Sequence, residues 1–280
     1  MDTIHLLFAL DANYLPQLRV LLTSICINNP GERFELHVMH SGLPEEELAR
    51  LAAWSEEHGW AFSGVSVDAA LFDGAPVTEQ YPREMYYRLL AGQMLPEGIS
   101  RIIYLDPDTL VINPLRPLWE TDMKGCMFAA AAHTGKTELA NNVNRLRLGT
   151  DHDYYNSGVL LMDLERCRRN ISAGELFDFV RNHRHELVMP DQDLLNAMYG
   201  TSILPLDDAL WNYDARNYNN YMLRSSGEQN VRWVMQNTAI LHFCGKAKPW
   251  KPNYMYRFGL LYQHYEQLAE RSWGPGAARS

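Results

Sequence analysis

The sequence predicts an α/β fold with a mainly parallel central sheet. Two observations predict it: apolar runs of strand length recur along the chain, and the segments between the first of them carry apolar residues at helical spacing. Strands joined through helical crossovers pair in parallel, with right-handed connections. A third observation places the chemistry, because acidic residues stand where several of these strands end, the side of an open α/β sheet on which ligands sit.

Residues 4–10 read as the first buried strand. Leu15, Leu18, Leu22 and Ile25 then recur at helical steps until Asn28-Asn29-Pro30-Gly31 stops the pattern. Residues 34–40 form the second strand. Pro44 followed by Glu45, Glu46 and Glu47 starts a helix, since proline suits the first turn and acids suit the positive end of the dipole. Residues 61–67 supply a third strand, and a helix over 83–95 leads into a strand at 102–105. Further strands are expected at 127–132, 158–163, 202–206 and 239–243, and helices at 175–186, 192–199 and 254–270. No repeat or linker divides the chain, so 1–280 reads as a single domain with a loose tail over 271–280.

Length and composition narrow the function classes. A chain of 280 residues, 46% apolar and 21% charged, can bury a core without staples. A net charge of −9 without a dense basic cluster argues against a nucleic-acid surface. Cys26, Cys126, Cys167 and Cys244 lie far apart with no Cys-x-x-Cys pair, which fits a reducing cytoplasm better than a zinc knuckle or a disulfide framework. The first apolar run lacks a basic flank and is cut off by Asp11, so it reads as a strand rather than a signal. No run approaches the ~20 apolar residues of a spanning helix, leaving at most peripheral contact at the inner face of the membrane.

The run Ile102-Ile-Tyr-Leu-Asp106-Pro-Asp108 ends a buried strand in two carboxylates. In extended chain, residues two apart point the same way, roughly 6.5 Å apart, so both acids can reach one hard cation. Asp-Pro-Asp is also turn chemistry. Asp11, Asn13 and Tyr14 after the first strand offer hydrogen bonds and a stacking ring to a nucleoside, or an Asx turn; the absence there of Gly-x-Gly-x-x-Gly argues against the usual dinucleotide site. Residues 239–243 carry His242 next to their end, followed by Gly245 and Lys248. An imidazole and two carboxylates, with diphosphate oxygens, suit Mn²⁺ or Mg²⁺, and Lys248 offers a cation to the diphosphate; alone, His242 reads as a buried histidine. Asp191 and Asp193 also read as a helix cap and first-turn acid, and Arg88, beside Tyr86 and Tyr87, as a surface charge.

Six segments in order resemble glycosyltransferase family 8, the retaining sugar-nucleotide transferases of the GT-A fold: Phe8-Ala-Leu-Asp-Ala-Asn-Tyr14, Tyr86-Tyr-Arg-Leu89, Tyr104-Leu-Asp-Pro-Asp-Thr-Leu110, Tyr155-Asn-Ser-Gly-Val-Leu-Leu-Met-Asp163, Asp191-Gln-Asp-Leu-Leu-Asn196 and His242-Phe-Cys-Gly-Lys-Ala-Lys-Pro-Trp250. The resemblance implies a Rossmann-like nucleotide-diphospho-sugar transferase moving galactose or glucose from a UDP-sugar to a saccharide or glycolipid hydroxyl, as in bacterial lipopolysaccharide synthesis. It implies that Asp106, Asp108 and His242 hold Mn²⁺, that Ala9, Asp11, Asn13 and Tyr14 hold uridine, and that Gly245 and Lys248 receive the diphosphate. Arg88, Asn156, Asp191 and Gln192 then surround the donor sugar, with Gln192 and Asp191 nearest the chemistry and Gln192 on the reactive face of the anomeric carbon.

Two departures bear on the acceptor. The lipooligosaccharide galactosyltransferases carry an acid after the strand matching 127–132, where this chain has Ala132-His133-Thr134, and their basic, aromatic membrane tail is not evident in 254–280. Two alternatives stand beside this reading. A sugar-nucleotide-binding protein without turnover would show a broken metal triad. A haloacid-dehalogenase-like phosphatase would want Thr or Val where Leu110 stands.

Overall fold

The computed structural model describes residues 2–67, 72, 84–132 and 137–274. The first half runs β1 (Ile4–Ala9), α1 (Leu15–Asn28), β2 (Phe34–His40), α2 (Glu45–Glu57), β3 (Ala61–Ser66), α3 (Glu84–Tyr87), α4 (Ala91–Met94), β4 (Arg101–Leu105), β5 (Thr109–Val111) and α5 (Arg116–Trp119). After β6 (Phe128–Ala131) come α6 (Thr137–Leu148), β7 (Val159–Asp163), α7 (Leu164–Asn170), α8 (Ala173–His183), α9 (Pro190–Tyr199) and β8 (Ile203–Leu206). The chain closes with α10 (Asp208–Trp211), β9 (Tyr213–Asp214), α11 (Tyr218–Arg224), α12 (Val231–Asn237), β10 (Ile240–His242) and α13 (Gly259–Trp273).

Seven strands form one sheet in the order β3-β2-β1-β4-β7-β6-β8. β1 pairs in parallel with β2 and β4, in registers such as Leu6↔Leu36 and Leu6↔Ile103. The continuous apolar runs are explained by burial on both faces. Along β4, Ile103 and Leu105 join the core beneath α1 and α13, while Ile102 and Tyr104 join the core beneath α8 and α9, all fully buried. Among the described residues no helix is long and apolar enough to cross a membrane.

The structure departs from the expected layout at four places. The strand expected at 158–163 runs antiparallel to both neighbours, so it begins, rather than ends, beside the carboxyl end of β4; Asp106 N–H donates to Gly158 O at 2.8 Å. The strand expected at 239–243 lies outside the main sheet, between β5 and β9 in a small sheet of its own. The helix expected over 83–95 is two short helices parted by a turn at 88–90; Arg83 lies outside the described residues. The final helix starts later and runs through Trp273, past the expected boundary at 271. Trp273 stacks on Trp54 at 4.4 Å between centroids and donates its indole N–H to Thr23 Oγ1, which ties the end of α13 to α1 and α2. Residues 275–280 lie outside the described residues.

His37 on β2 gives the fold a pH dependence. Its ring is buried, and burial, with His5 alongside, pushes its pKa from 6.5 down to about 4. The unfolded chain binds the proton that the folded chain excludes, so this contribution is complete above about pH 6.5 and falls away as the pH drops towards 4. At pH 4 the loss is about 3 kcal/mol. Urea unfolding of wild type and His37→Leu between pH 7 and pH 4 checks it: the variant is expected to show the weaker pH dependence.

Candidate active site

The carboxyl end of β4 and the small sheet build the site together. Asp106 O accepts from Thr109 N–H at 3.1 Å and from Thr109 Oγ1 at 2.8 Å, closing a turn over Pro107. The turn reading of Asp-Pro-Asp therefore holds, and the turn aims both carboxylates into one cleft. It also hands the chain to β5, and β10 pairs with β5 in the register His242↔Thr109. Phe243 N–H donates to Asp108 O at 3.0 Å. This pairing closes the 134-residue separation between Asp108 and His242 (242 − 108).

His242 Nε2 lies 3.2 Å from Asp108 Oδ1 and 4.0 Å from Asp106 Oδ2, and one ligand atom from each of the three residues falls within 4.8 Å of the others. His242 Nδ1 faces Asn212 Oδ1 at 2.9 Å. With Nδ1–H given to the amide, Nε2 is the atom left for the carboxylates, or, as a lone pair, for a cation. The set of one imidazole nitrogen and two carboxylates, with room beside them, fits a six-coordinate Mn²⁺ or Mg²⁺. Gly158 supplies part of that room. A Cβ there would lie 2.3 Å from His242 Cε1 and 2.6 Å from Asp106 Oδ2.

The charges around the pair are arranged unequally. Burial pushes the Asp106 carboxyl up, against the pull of Arg88. Burial acts on Asp108 as well, but His242 and Lys248 outweigh it and hold that carboxyl well below the usual range. Lys248 pairs with Asp108 and donates to Phe243 O at 2.9 Å. Tyr104 OH donates to Asp106 Oδ1, and the Arg88 guanidinium lies over the Tyr104 ring at 4.5 Å.

Arg88 is not the surface charge that its helix neighbours suggest. The turn between α3 and α4 puts it in the interior, where Nη2 meets Asp106 Oδ1 at 3.1 Å and Nη1 meets Asp191 Oδ2 at 3.2 Å. Nη1 also donates to Ser157 O at 2.9 Å, and Ser157 Oγ donates to Asp191 Oδ2 at 3.1 Å. Asp191 is not a helix cap either: α9 opens with Pro190, and Met189 stands at the cap without a side-chain bond. Asn156 Nδ2 donates to Gln192 Oε1 at 3.0 Å, while Asn156 Oδ1 accepts from Gly158 N–H and Asn212 Nδ2, both at 2.9 Å. A continuous chain of amides thus joins Gln192 to His242. Asp193 turns the other way, fully buried, accepting from Arg147, Tyr154 OH and the Val188 and Met189 amides.

A cleft of ≈530 Å³ gathers Asp106, Asp108, Asn156, Asp191, Gln192, His242 and Gly245. A second cavity of ≈640 Å³ adjoins it at Gly245 and is lined by Asn13, Tyr14, Lys248 and Trp250, with Lys246 and Lys251. Asp11 forms the Asx turn, accepting from Asn13 N–H at 2.9 Å; Ala9 and Asp11 stand at this end of β1 but outside the lining of either cavity. Ser157 and Cys244 join the site from inside two of the quoted segments without having been singled out there, while Asn212 and Arg216 lie in a stretch with no motif spacing. His133 and Thr134 lie outside the described residues.

Comparison with known proteins agrees with this architecture. The model of Glycosyl transferase family 8 matches residues 5–253. General stress protein A of Bacillus subtilis (strain 168) is 29% identical over 94% of this chain and 93% of its own length. Lipopolysaccharide 1,2-glucosyltransferase of Escherichia coli (strain K12) is 24% identical over 89% of this chain and 73% of its own length. The crystal structure of galactosyltransferase LgtC in complex with donor and acceptor sugar analogs superposes with a TM-score of 0.77, at 24% identity, over 95% of this chain and 96% of that one, which shows the GT-A fold. With its sheet, its acidic β4 turn and its His242 strand all inside the matched span, this chain belongs to glycosyltransferase family 8, in the company of the bacterial lipopolysaccharide glycosyltransferases.

Proposed function

We propose that the protein transfers a hexose, galactose or glucose, from a UDP-sugar to a hydroxyl of a saccharide or glycolipid, with retention at the anomeric carbon. The observation that carries this reading is the convergence of Asp106, Asp108 and His242 beside a cavity bearing an aromatic pair and three lysines. Bound there, Mn²⁺ or Mg²⁺ supplies Lewis-acid stabilisation of the charge on the departing diphosphate.

The chain's own residues divide the remaining work. Tyr14, edge-on to Trp250 with centroids 6.5 Å apart, and Asn13 receive the nucleoside, with Ala9 and Asp11 bordering it. Lys248, which pairs with Asp108 in this structure, would offer its charge to the diphosphate, and the Gly245 backbone lies alongside. Arg88 anchors Asp106 and Asp191 together and, with Asn156, Asp191 and Gln192, orients the donor sugar. Fixed donors aimed at developing charge are the largest electrostatic contribution available to such a site.

Front-face attack by the acceptor hydroxyl fits this geometry better than a covalent route. Gln192 is a neutral amide and a poor nucleophile. Asp193 is fully engaged away from the cleft, and Asp191 is held by Arg88 and Ser157. The unpaired cysteines suit work in the cytoplasm, with membrane contact peripheral at most.

The test is UDP release from a panel of UDP-sugars with Mn²⁺ and after chelation. At least one donor is expected to release UDP, with chelation lowering the rate ~100-fold or more. Binding without any turnover would favour a sugar-nucleotide-binding protein. Absence of both metal-dependent binding and hydrolysis for every donor would overturn the reading.

A further inference from the structure

Three cavities adjoin along the carboxyl end of the sheet. The nucleoside cavity meets the central cleft at Gly245, and the cleft meets a third cavity, of ≈350 Å³, at Arg216. The third shares no lining residue with the first. Its walls include Arg216, Tyr218, Tyr256 and Arg257. Two guanidinium groups therefore line a space that shares Arg216 with the sugar-transfer cleft and no residue with the nucleoside pocket.

We propose that this outer cavity receives an acidic acceptor, a sugar or polyol bearing a phosphate or carboxylate whose oxygens are held by Arg216 and Arg257. This rests on the donor reading above. Arg216 is built for a fixed direction. Its Nε and Nη2 donate to Asp214 at 2.9 and 2.7 Å, and Asp214, buried, also accepts from Arg216 N–H and Asn217 Nδ2. Nη1 makes no hydrogen bond among the described residues. It reaches over Gly245, where a Cβ would lie 2.3 Å from it, so a glycine at φ +79° keeps its path into the cleft open.

Asp214 cancels the net charge of Arg216, which leaves Nη1 a directional donor. The net cation comes from Arg257, which stacks over Tyr218 at 4.3 Å and has no carboxylate within 4.0 Å among the described residues. A chain of net charge −9 repels anions at long range, so an acidic acceptor needs local cations of this kind. The exposed Tyr256 ring adds a face suited to a sugar or polyol.

The experiment is calorimetric titration of glucose 6-phosphate, glycerol 3-phosphate, glucuronate and glucose into the full chain loaded with UDP and Mn²⁺. At least one charged ligand is expected to bind tenfold or more tightly than glucose, and the ranking of phosphates against glucuronate names the oxyanion. Arg257→Gln and Arg216→Gln are each expected to weaken that binding at least tenfold, with Arg257→Lys retaining part of it. Equal affinity for glucose, no binding of any charged ligand, or binding that survives both substitutions would overturn the proposal. An effect of Arg216→Gln on UDP affinity alone would also overturn it, by assigning Nη1 to the donor. Failure of the loading step, with no Mn²⁺-dependent uptake of UDP, defeats the donor reading and this proposal with it; successful loading with indifferent ligands defeats this proposal alone.

Discussion

Asp108→Asn is expected to lower UDP-sugar turnover by about 10³-fold while the fold persists. The substitution keeps the shape of the side chain and removes the charge that His242 and Lys248 both face. Loss of several kcal/mol of transition-state charge stabilisation corresponds to that factor. Asp106 is a weaker choice for the same test, because it also anchors Arg88 and accepts from Tyr104 OH, so its replacement disturbs the Arg88–Asp191 pair as well. Steady-state UDP release gives the rate, and a melting temperature within a few degrees of wild type separates lost chemistry from lost structure. Turnover within tenfold of wild type would remove Asp108 from the metal site.

Gly158→Ala is the second large effect. An added methyl would sit 2.3 Å from the His242 ring and 2.6 Å from an Asp106 oxygen, and neither neighbour has room to yield. His242 is held by β5 and β9 on its two sides, and the Gly158 backbone is fixed by its bond to Asp106 N–H. The side chains proposed to hold the cation must therefore spread. Activity is expected to fall at least ~100-fold, in line with disturbed metal-ligand support, with a stability loss of about 1–3 kcal/mol from overpacking. Gly98→Ala is the control: a Cβ at Gly98 meets nothing within 4 Å, and no effect on rate is expected. Wild-type activity in Gly158→Ala would show that the triad does not need its observed spacing.

Long, repetitive signals made the first half of the fold legible. β1, β2 and β4 are apolar because both faces are covered, and continuous runs such as Ile102-Ile103-Tyr104-Leu105 say so without any partner being known, whereas β3, at the sheet edge, is only half-buried. Strand direction is a different matter. β7 is as apolar as β4, and nothing in Val159-Leu-Leu-Met-Asp163 records that it runs the other way. Similarly, 239–243 reads as a strand of the main sheet, but its sheet is decided by β5, three residues whose pairing follows from the Asp106 turn. Helices as short as α11 and α12, seven residues each, span too few turns to show apolar periodicity.

The site divides along the same line. Residues at strand ends, Asp106, Asp108 and His242, are legible because position on the sheet gives them a task. Arg88 misleads, since a helix of four residues followed by a turn points it inward where an unbroken helix would not, and Asp191 misleads as a cap because the helix opens a residue earlier, at Pro190. Asn212 is invisible for another reason. It contributes a single amide that orients His242, and one amide has no spacing to read. Arg216 and Arg257 lie in separate segments and meet only at the wall of the outer cavity.

The most direct test of the central claim, that Asp106, Asp108 and His242 hold a divalent cation for a nucleoside diphosphate, is calorimetric titration of UDP with and without Mn²⁺ into wild type and Asp108→Asn. Tight UDP binding in wild type only when Mn²⁺ is present, and its loss in Asp108→Asn at every Mn²⁺ concentration, is the predicted result. UDP binding that is indifferent to Mn²⁺, or equal in the two proteins, would contradict it.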